Sequence, residues 1–101
     1  MTVVALVTDL MDRSKLSAAV PGVTFARTVD GCADASVVVV DLARHGADIA
    51  AVRTIAPGAR IVGFGPHVDG ESAERARSEG ADVVLPRSRF FRDPAAAIAP
   101  R

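Results

Sequence analysis

The chain of 101 residues has room for one hydrophobic core and is too short for a second, so residues 1–101 are treated as a single domain. Half of the residues are apolar but only four are aromatic, and the predicted core is therefore built from valine, alanine, leucine and isoleucine. Twelve basic and twelve acidic side chains cancel, which argues against a protein that binds nucleic acid over a broad basic face.

Two features of the sequence bear on cellular location. The single cysteine, Cys32, has no partner for an internal disulfide, and residues 1–4 lack the positive region of a secretory leader. No apolar stretch approaches the roughly 20 residues that a membrane-spanning helix needs. We therefore expect a cytoplasmic protein that does not insert into membranes.

The first half of the chain predicts two strand-helix units with an extra strand between them. Residues 3–7 form a continuous β-branched run typical of a strand covered on both faces, and residues 12–20 carry apolar positions at helical spacing. Residues 23–29 alternate between apolar and polar side chains, which is typical of an edge strand with one solvated face. The valine-rich residues 36–41 predict the central strand, and residues 47–56 predict the helix that follows it. Only a few residues separate the second and third strands, so a full second helix is not expected.

The second half predicts two more strands and a shortened end. Residues 60–65 and 82–85 indicate strands, and residues 70–79 indicate a helix with Asp69 as its N-cap. Residues 88–101 have room for about two helical turns, between Pro94 and Pro100. Strands that alternate with helices predict a three-layer α/β domain with a parallel sheet and reduced second and last helices. Ligands of such sheets bind at the carboxyl ends of the strands.

The sequence resembles the receiver domain of bacterial response regulators. The stretch Ala-Arg-Ser-Glu-Gly-Ala-Asp-Val-Val-Leu at 76–85, with His-Val-Asp at 67–69, is similar to the fourth helix and fifth strand of that family. Asp41 at the end of the third strand and Asp9 after the first add to the likeness. The resemblance implies a flavodoxin-like topology with five parallel strands in the order 2-1-3-4-5.

The resemblance also implies roles for individual residues. Asp41 corresponds to the phosphoryl acceptor and Asp9 to one of the acids that hold Mg²⁺, while Thr8 stands where the family has a second acid. Arg87 stands at the position of the lysine that contacts the phosphoryl group, and Gly65 at the position of the threonine or serine. Arginine keeps the charge but changes its geometry, and glycine has no hydroxyl. The residues themselves imply no cofactor, and the resemblance implies at most Mg²⁺.

Both aspartates have a second interpretation of equal weight, which is that each caps the helix that follows its strand. Asp12 is expected to cap the first helix rather than to join the site. The Gly-Phe-Gly-Pro stretch at 63–66 is expected to form a tight turn, because it lacks the lysine and the third glycine of a phosphate-binding loop. His45 and His67 are expected to be solvated loop residues, and Cys32 a buried filler.

A cluster of arginines and phenylalanines near the carboxyl end suggests an interaction surface. Arg87, Arg89, Phe90 and Phe91 form its core, and Arg13 and Lys15 are expected nearby. Because the second and last helices are reduced, we expect apolar sheet to be left uncovered. The two phenylalanines are the predicted anchors of a protein partner or of a homodimer.

Three functions follow, in order of preference. The first is a non-catalytic receiver-like module, a pseudo-receiver, that binds a protein partner or itself and lacks the complete phosphorylation switch. The second is a minimal receiver of a two-component system, with Asp41 phosphorylated and Mg²⁺ bound. The third is a small nucleotide- or flavin-binding domain. No catalytic triad or acid-base pair is visible in the sequence, so we do not predict an enzyme.

Overall fold

The computed structural model describes residues 1–66 and 70–99, and His67 and the predicted N-cap Asp69 lie outside this range. The described strands are β1 (Val3–Leu6), β2 (Thr24–Phe25), β3 (Val37–Asp41), β4 (Arg60–Gly65) and β5 (Val83–Pro86). The described helices are α1 (Leu10–Ala19), α2 (Leu42–His45), α3 (Ile49–Ile55), α4 (Gly70–Ser78), α5 (Arg87–Arg92) and α6 (Pro94–Ile98). Short 3-10 helices span Val29–Cys32 and Gly46–Asp48.

The five strands form one parallel sheet in the order β2-β1-β3-β4-β5, which confirms the predicted topology. All five residues of β3 are buried. This strand lies at the centre, where Val39 is beside Ala5 of β1 and Val62 of β4. The unbroken valine run of β3 is explained by this position, because a strand covered on both faces has no solvent side on which polar residues would be favoured.

Helices cover the sheet on both faces and give the predicted three-layer domain. On one face, β3 side chains such as Val38 pack with Ile49 and Val52 of α3 and with alanines of α4. On the other face, Val39 packs with Leu16 of α1, Phe90 of α5 and Ile98 of α6. The short helices α5 and α6 therefore do the packing work of one longer last helix.

The prediction that the helix between the second and third strands is reduced is confirmed, but the sheet beneath this connection is not left uncovered. The 3-10 helix Val29–Cys32 occupies the connection from β2 to β3 and places Cys32 in the core with no exposed surface. In the described ranges, the exposed large apolar side chains are Met1, Leu10 and Met11, and none belongs to the sheet. Our expectation of uncovered sheet was wrong, since a single short turn is enough to seal this face.

Several element boundaries differ from the prediction because local capping decides them. Helix α1 begins at Leu10, two residues before the predicted start, because Asp9 caps it. The predicted helix at 47–56 is replaced by α2, a 3-10 turn and α3, since α2 begins directly after β3. Strand β2 has two residues rather than seven. The strand predicted at 60–65 is confirmed as β4, so the prediction of a tight turn at 63–66 was wrong.

Arg53 ties together the ends of elements at the edge opposite the carboxyl ends of the strands. Its guanidinium donates hydrogen bonds to the carbonyls of Pro57, Ala59 and Gly80, at 3.0, 2.7 and 2.7 Å. It also pairs with the carboxylate of Asp82 at 2.7 Å, and the same Asp82 oxygen accepts from the backbone N–H of Ile61 at 2.8 Å. One side chain thus connects α3, the start of β4 and the start of β5.

In the ranges that the structure describes, no helix combines the length and the apolar character needed to cross a membrane.

Candidate functional site

The first strand-helix connection places two acids at the carboxyl end of β1. Asp9 is the N-cap of α1, and its side chain accepts a hydrogen bond from the backbone N–H of Asp12 at 3.0 Å. This hydrogen bond lowers the pKa of Asp9, and the nearby guanidinium groups of Arg87 and Arg44 act in the same direction against partial burial. Asp9 is therefore an ionised cap of α1 at neutral pH.

Asp12 lies in the first turn of α1 with only 1% of its surface exposed, on the same helix face as the buried Leu16. The prediction that Asp12 caps the helix was wrong because the helix starts earlier. Its position three residues after the cap turns its side chain towards the sheet. A buried carboxylate needs a compensating charge or hydrogen-bond donors.

Arg87 supplies the compensating charge. It is the first residue of α5, immediately after β5, and its Nη1 donates to Oδ2 of Asp12 at 2.7 Å while Nη2 contacts Oδ1. The hydrogen bonds that Arg87 donates to Asp12 raise the pKa of Arg87, and the charges of Asp41 and Asp9 contribute further. The guanidinium thus faces all three acids but makes its hydrogen bonds to Asp12.

Asp41 occupies the end of β3, at the centre of the site. It is 5% exposed, and its Oδ1 accepts a hydrogen bond from the backbone N–H of Ala43 at 3.1 Å, which makes it the N-cap of α2. The capping interpretation thus describes the observed contacts of both Asp9 and Asp41. A role in phosphoryl or metal binding stays a prediction.

Three phenylalanines form a cluster of packed rings next to Arg87. Phe64 of β4 stacks on Phe90 with ring centroids 4.9 Å apart, and Phe91 lies edge-on to both. The Arg87 guanidinium lies 5.1 Å from the Phe91 ring and 5.9 Å from the Phe64 ring, within the range of a cation-π contact. The position of Arg87 is therefore fixed by a carboxylate on one side and by aromatic rings on the other.

The predicted interaction surface is divided between the core and the exterior. Phe90 is fully buried, so its side chain is a core residue and is not part of any surface. Phe91 is half-buried and Arg89 is exposed. Lys15 lies near this region, 5.5 Å from the Phe91 ring, whereas Arg13 instead stacks on Phe25 at 4.6 Å, beside β2.

Gly65 ends β4 and is buried, next to the site. A groove of about 680 Å³ starts at Gly65 and Pro66 and runs between α2 and α4. Gly63 allows this side of the sheet to pack tightly, since a Cβ there would lie 2.9 Å from the side chain of Leu42. The remaining walls of the groove are formed by α4 residues such as Glu71 and Arg75.

The carboxylates present do not fit a three-ligand cation site. Asp9 and Asp41 each accept a backbone N–H, and both oxygens of Asp12 contact Arg87. Across residues 1–66 and 70–99, no three His, Cys, Asp or Glu side chains are grouped so that they could hold a metal ion. Divalent cations prefer several oxygen ligands around one position, and the predicted Mg²⁺ site at Asp9 and Asp41 stays a prediction.

The other predicted candidates lie apart from this site. His45 ends α2 and is half-buried, with Nδ1 3.2 Å from Asp48, so the expectation of a solvated loop residue was wrong. Cys32 is buried as predicted, and desolvation raises the pKa of its thiol.

Fold and site together define a class of protein: an α/β domain whose parallel sheet carries an acidic pocket, with an arginine inside it, at the carboxyl ends of its strands. The chain matches no protein-family model and no curated protein. Two solved structures from Burkholderia pseudomallei share its fold.

One is a response regulator solved with a phosphorylated aspartic acid, a calcium ion and citrate, with a TM-score of 0.76 and 18% identity. The match covers 97% of the present chain but 65% of the regulator, so the chain spans about two thirds of that protein. The other is a putative pilus assembly-related protein from strain K96243, with a TM-score of 0.71 and 18% identity, covering 99% of this chain and 92% of that one. The fold is thus that of a response regulator receiver domain; at this identity the likeness establishes fold and nothing further.

Proposed function

We propose that this chain is a receiver-like signalling module that acts by binding protein and does not depend on the complete phosphorylation switch. The observation that carries the proposal is the pairing of Arg87 with Asp12. At the position where the receiver resemblance puts a lysine for the phosphoryl group, the cation is hydrogen-bonded to an internal carboxylate.

Releasing Arg87 from this contact would be costly. Asp12 would then remain as a buried carboxylate without its partner. Breaking a buried pair in this way costs about 3 kcal/mol at the lower end of the usual range, which applies here because the Arg87 side chain is 38% exposed. Contacts between Arg87 and a phosphoryl group on Asp41 would have to offset the free energy lost when the pair of Arg87 with Asp12 breaks. Gly65 supplies no hydroxyl that could help.

The acids support the same proposal. Asp9 and Asp41 hold the first turns of α1 and α2 through backbone amides, so both have a structural function that needs no phosphoryl group. A carboxylate attacks phosphorus readily only when a cation screens the approaching charges. We propose that this site is structural and that it has no chemistry of its own.

The test is an NMR titration of backbone amides with Mg²⁺ followed by beryllofluoride, on the wild type and on Asp41→Asn. We expect no saturable shift at Asp9, Asp41 or Arg87 in either protein, because neither the cation nor the phosphoryl mimic finds its ligands. The exposed Asp34→Asn serves as the matched control for loss of one negative charge. Saturable shifts that disappear only in Asp41→Asn would instead establish a working phosphoacceptor.

The partner surface that we propose lies on the first turn of α1. Leu10 and Met11 are 78% and 70% exposed, directly beside the capping Asp9. Exposed apolar side chains that adjoin each other mark contact surfaces more often than isolated ones do. We propose that a second copy of this chain packs here, in place of the predicted contact through Phe90.

Self-association through this turn makes a direct prediction. The double variant Leu10→Ser, Met11→Ser should remain monomeric at concentrations where the wild type shows a concentration-dependent rise in sedimentation coefficient. Both side chains point into solvent, so the variant should keep the wild-type fold by circular dichroism. The control is Met1→Ser, which removes exposed apolar surface elsewhere. A wild type that is monomeric at every concentration would contradict the proposal.

A further inference from the structure

A cleft of about 350 Å³ opens between the carboxyl ends of β1 and β2, and Arg87 is not among the residues that line it. It is lined by Val7, Thr8, Arg13, Phe25, Ala26 and Arg27. This volume is at the lower end of the range of small-molecule sites, and the carboxyl edge of a parallel sheet is where ligands of such folds bind. The cleft is therefore in a suitable place, and of a suitable size, for a small ligand.

Arg13 is held in place within the cleft. Its guanidinium lies over the Phe25 ring, 4.6 Å from the centroid, and the side chain rises from the second turn of α1. Stacking leaves the edge of a guanidinium, with its N–H groups, available for hydrogen bonds in the plane. A donor that is already oriented loses less conformational entropy when a ligand binds.

The two arginines of the cleft have no carboxylate partner among residues 1–66 and 70–99. In the described part of the chain, neither Arg13 nor Arg27 forms an ion pair with a carboxylate. Asp9 follows Thr8, and its side chain accepts a hydrogen bond from the backbone N–H of Asp12 as the cap of α1. Two arginines thus line one small cleft without a described acidic partner, in a chain whose total charge is zero.

We propose that this cleft binds a small anion that carries a phosphoryl group. Guanidinium groups bind phosphate oxygens in pairs, so two arginines match the several oxygens of one phosphoryl group. Thr8, which also lines the cleft, has a hydroxyl that can act as a neutral donor. The lining of this cleft shares no residue with the proposed partner surface, and Thr8 is the lining residue that adjoins Asp9 of the Asp41 pocket.

The experiment is an amide NMR titration of the full chain with inorganic phosphate and, separately, with glycerol 3-phosphate, at constant ionic strength. In the wild type we expect saturable shifts centred on residues 7–8 and 25–27. Arg27→Ala should weaken binding by about tenfold, since one charge-assisted contact is lost. Arg77→Ala, which removes an exposed arginine from α4, should leave it unchanged.

Arg27 makes no described contact that folding needs, so its variant separates binding from stability. Arg13→Lys is the second variant: it keeps the charge but not the paired geometry, and should also weaken binding. Tighter binding of glycerol 3-phosphate than of phosphate would assign the ligand as a monoester, and equal binding would assign free phosphate. Shifts that do not saturate, or equal affinity in Arg27→Ala and the wild type, would overturn the proposal.

Discussion

Replacing Arg87 with methionine should reduce the free energy of unfolding by roughly 3 kcal/mol, because it leaves the carboxylate of Asp12 buried without a partner. Asp12 is 1% exposed, whereas the Arg87 side chain is 38% exposed, so the lower end of the range for buried pairs applies. Methionine keeps an unbranched apolar side chain against Phe91 and Phe64, so the loss reports mainly the charge pair. The melting temperature should fall by about 12 to 24 °C in a domain of this size.

The measurement is urea unfolding followed by circular dichroism, arranged as a double-mutant cycle. Arg87→Met, Asp12→Asn and the double variant are compared with the wild type, and the double variant should regain part of the loss because no charge is then buried. Arg89→Met is the matched control, since Arg89 is exposed on the same helix. If Arg87→Met is no less stable than Arg89→Met, the pair of Arg87 with Asp12 does not stabilise the fold.

The outcome also bears on function. A strong pair means that Arg87 is committed to Asp12 in the folded protein, which is the premise of the proposed partner-binding module. A weak pair would leave Arg87 free to turn towards Asp41, and this result would favour the hypothesis that Asp41 is phosphorylated. Stability of the single variants therefore complements the phosphoryl-mimic titration, which probes the same pocket from the side of the ligand.

The sequence predicts the sheet well because its signals are local. The valine run that forms β3 and the helical spacing around Leu16 are patterns of a few residues, and each is reinforced by burial in the final fold. The caps at Asp9 and Asp41 follow for the same reason, since a cap contacts amides two or three residues away. The prediction failed where a single cap or turn shifts a boundary, as it does at α1 and β2.

The contacts inside the site could not be predicted from local sequence patterns. Arg87 and Asp12 are 75 residues apart, and nothing in the local sequence of either one points to the other. The burial of Phe90 has the same origin, because it depends on stacking with Phe64 of β4. One signal was present for Asp12: once α1 is started at Leu10, the spacing from Asp12 to Leu16 puts the acid on the buried face.

Arg53 is the position where we expect the other large effect on stability. Arg53→Ala removes the donors for the carbonyls of Pro57, Ala59 and Gly80 and the partner of Asp82. Its side chain is 28% exposed and that of Asp82 is 44% exposed, so water can replace part of what is lost. Hydrogen bonds to charged groups contribute about 1.5 to 3 kcal/mol each when well sheltered, and we expect a total loss of about 2 to 3 kcal/mol.

The comparison that isolates this effect uses two further variants and the same urea measurement. Arg53→Lys keeps the charge and most of the stem but only a point-like donor group, so it should recover part of the stability and not all of it. Arg77→Ala removes an exposed arginine and should change the unfolding midpoint little. Gly80 has a φ of 125°, and a Cβ there would lie 2.8 Å from the Arg53 Cβ, so the backbone passes close to this side chain. Equal midpoints for Arg53→Ala and Arg77→Ala would mean that this close packing, rather than the guanidinium, joins α3 to β5.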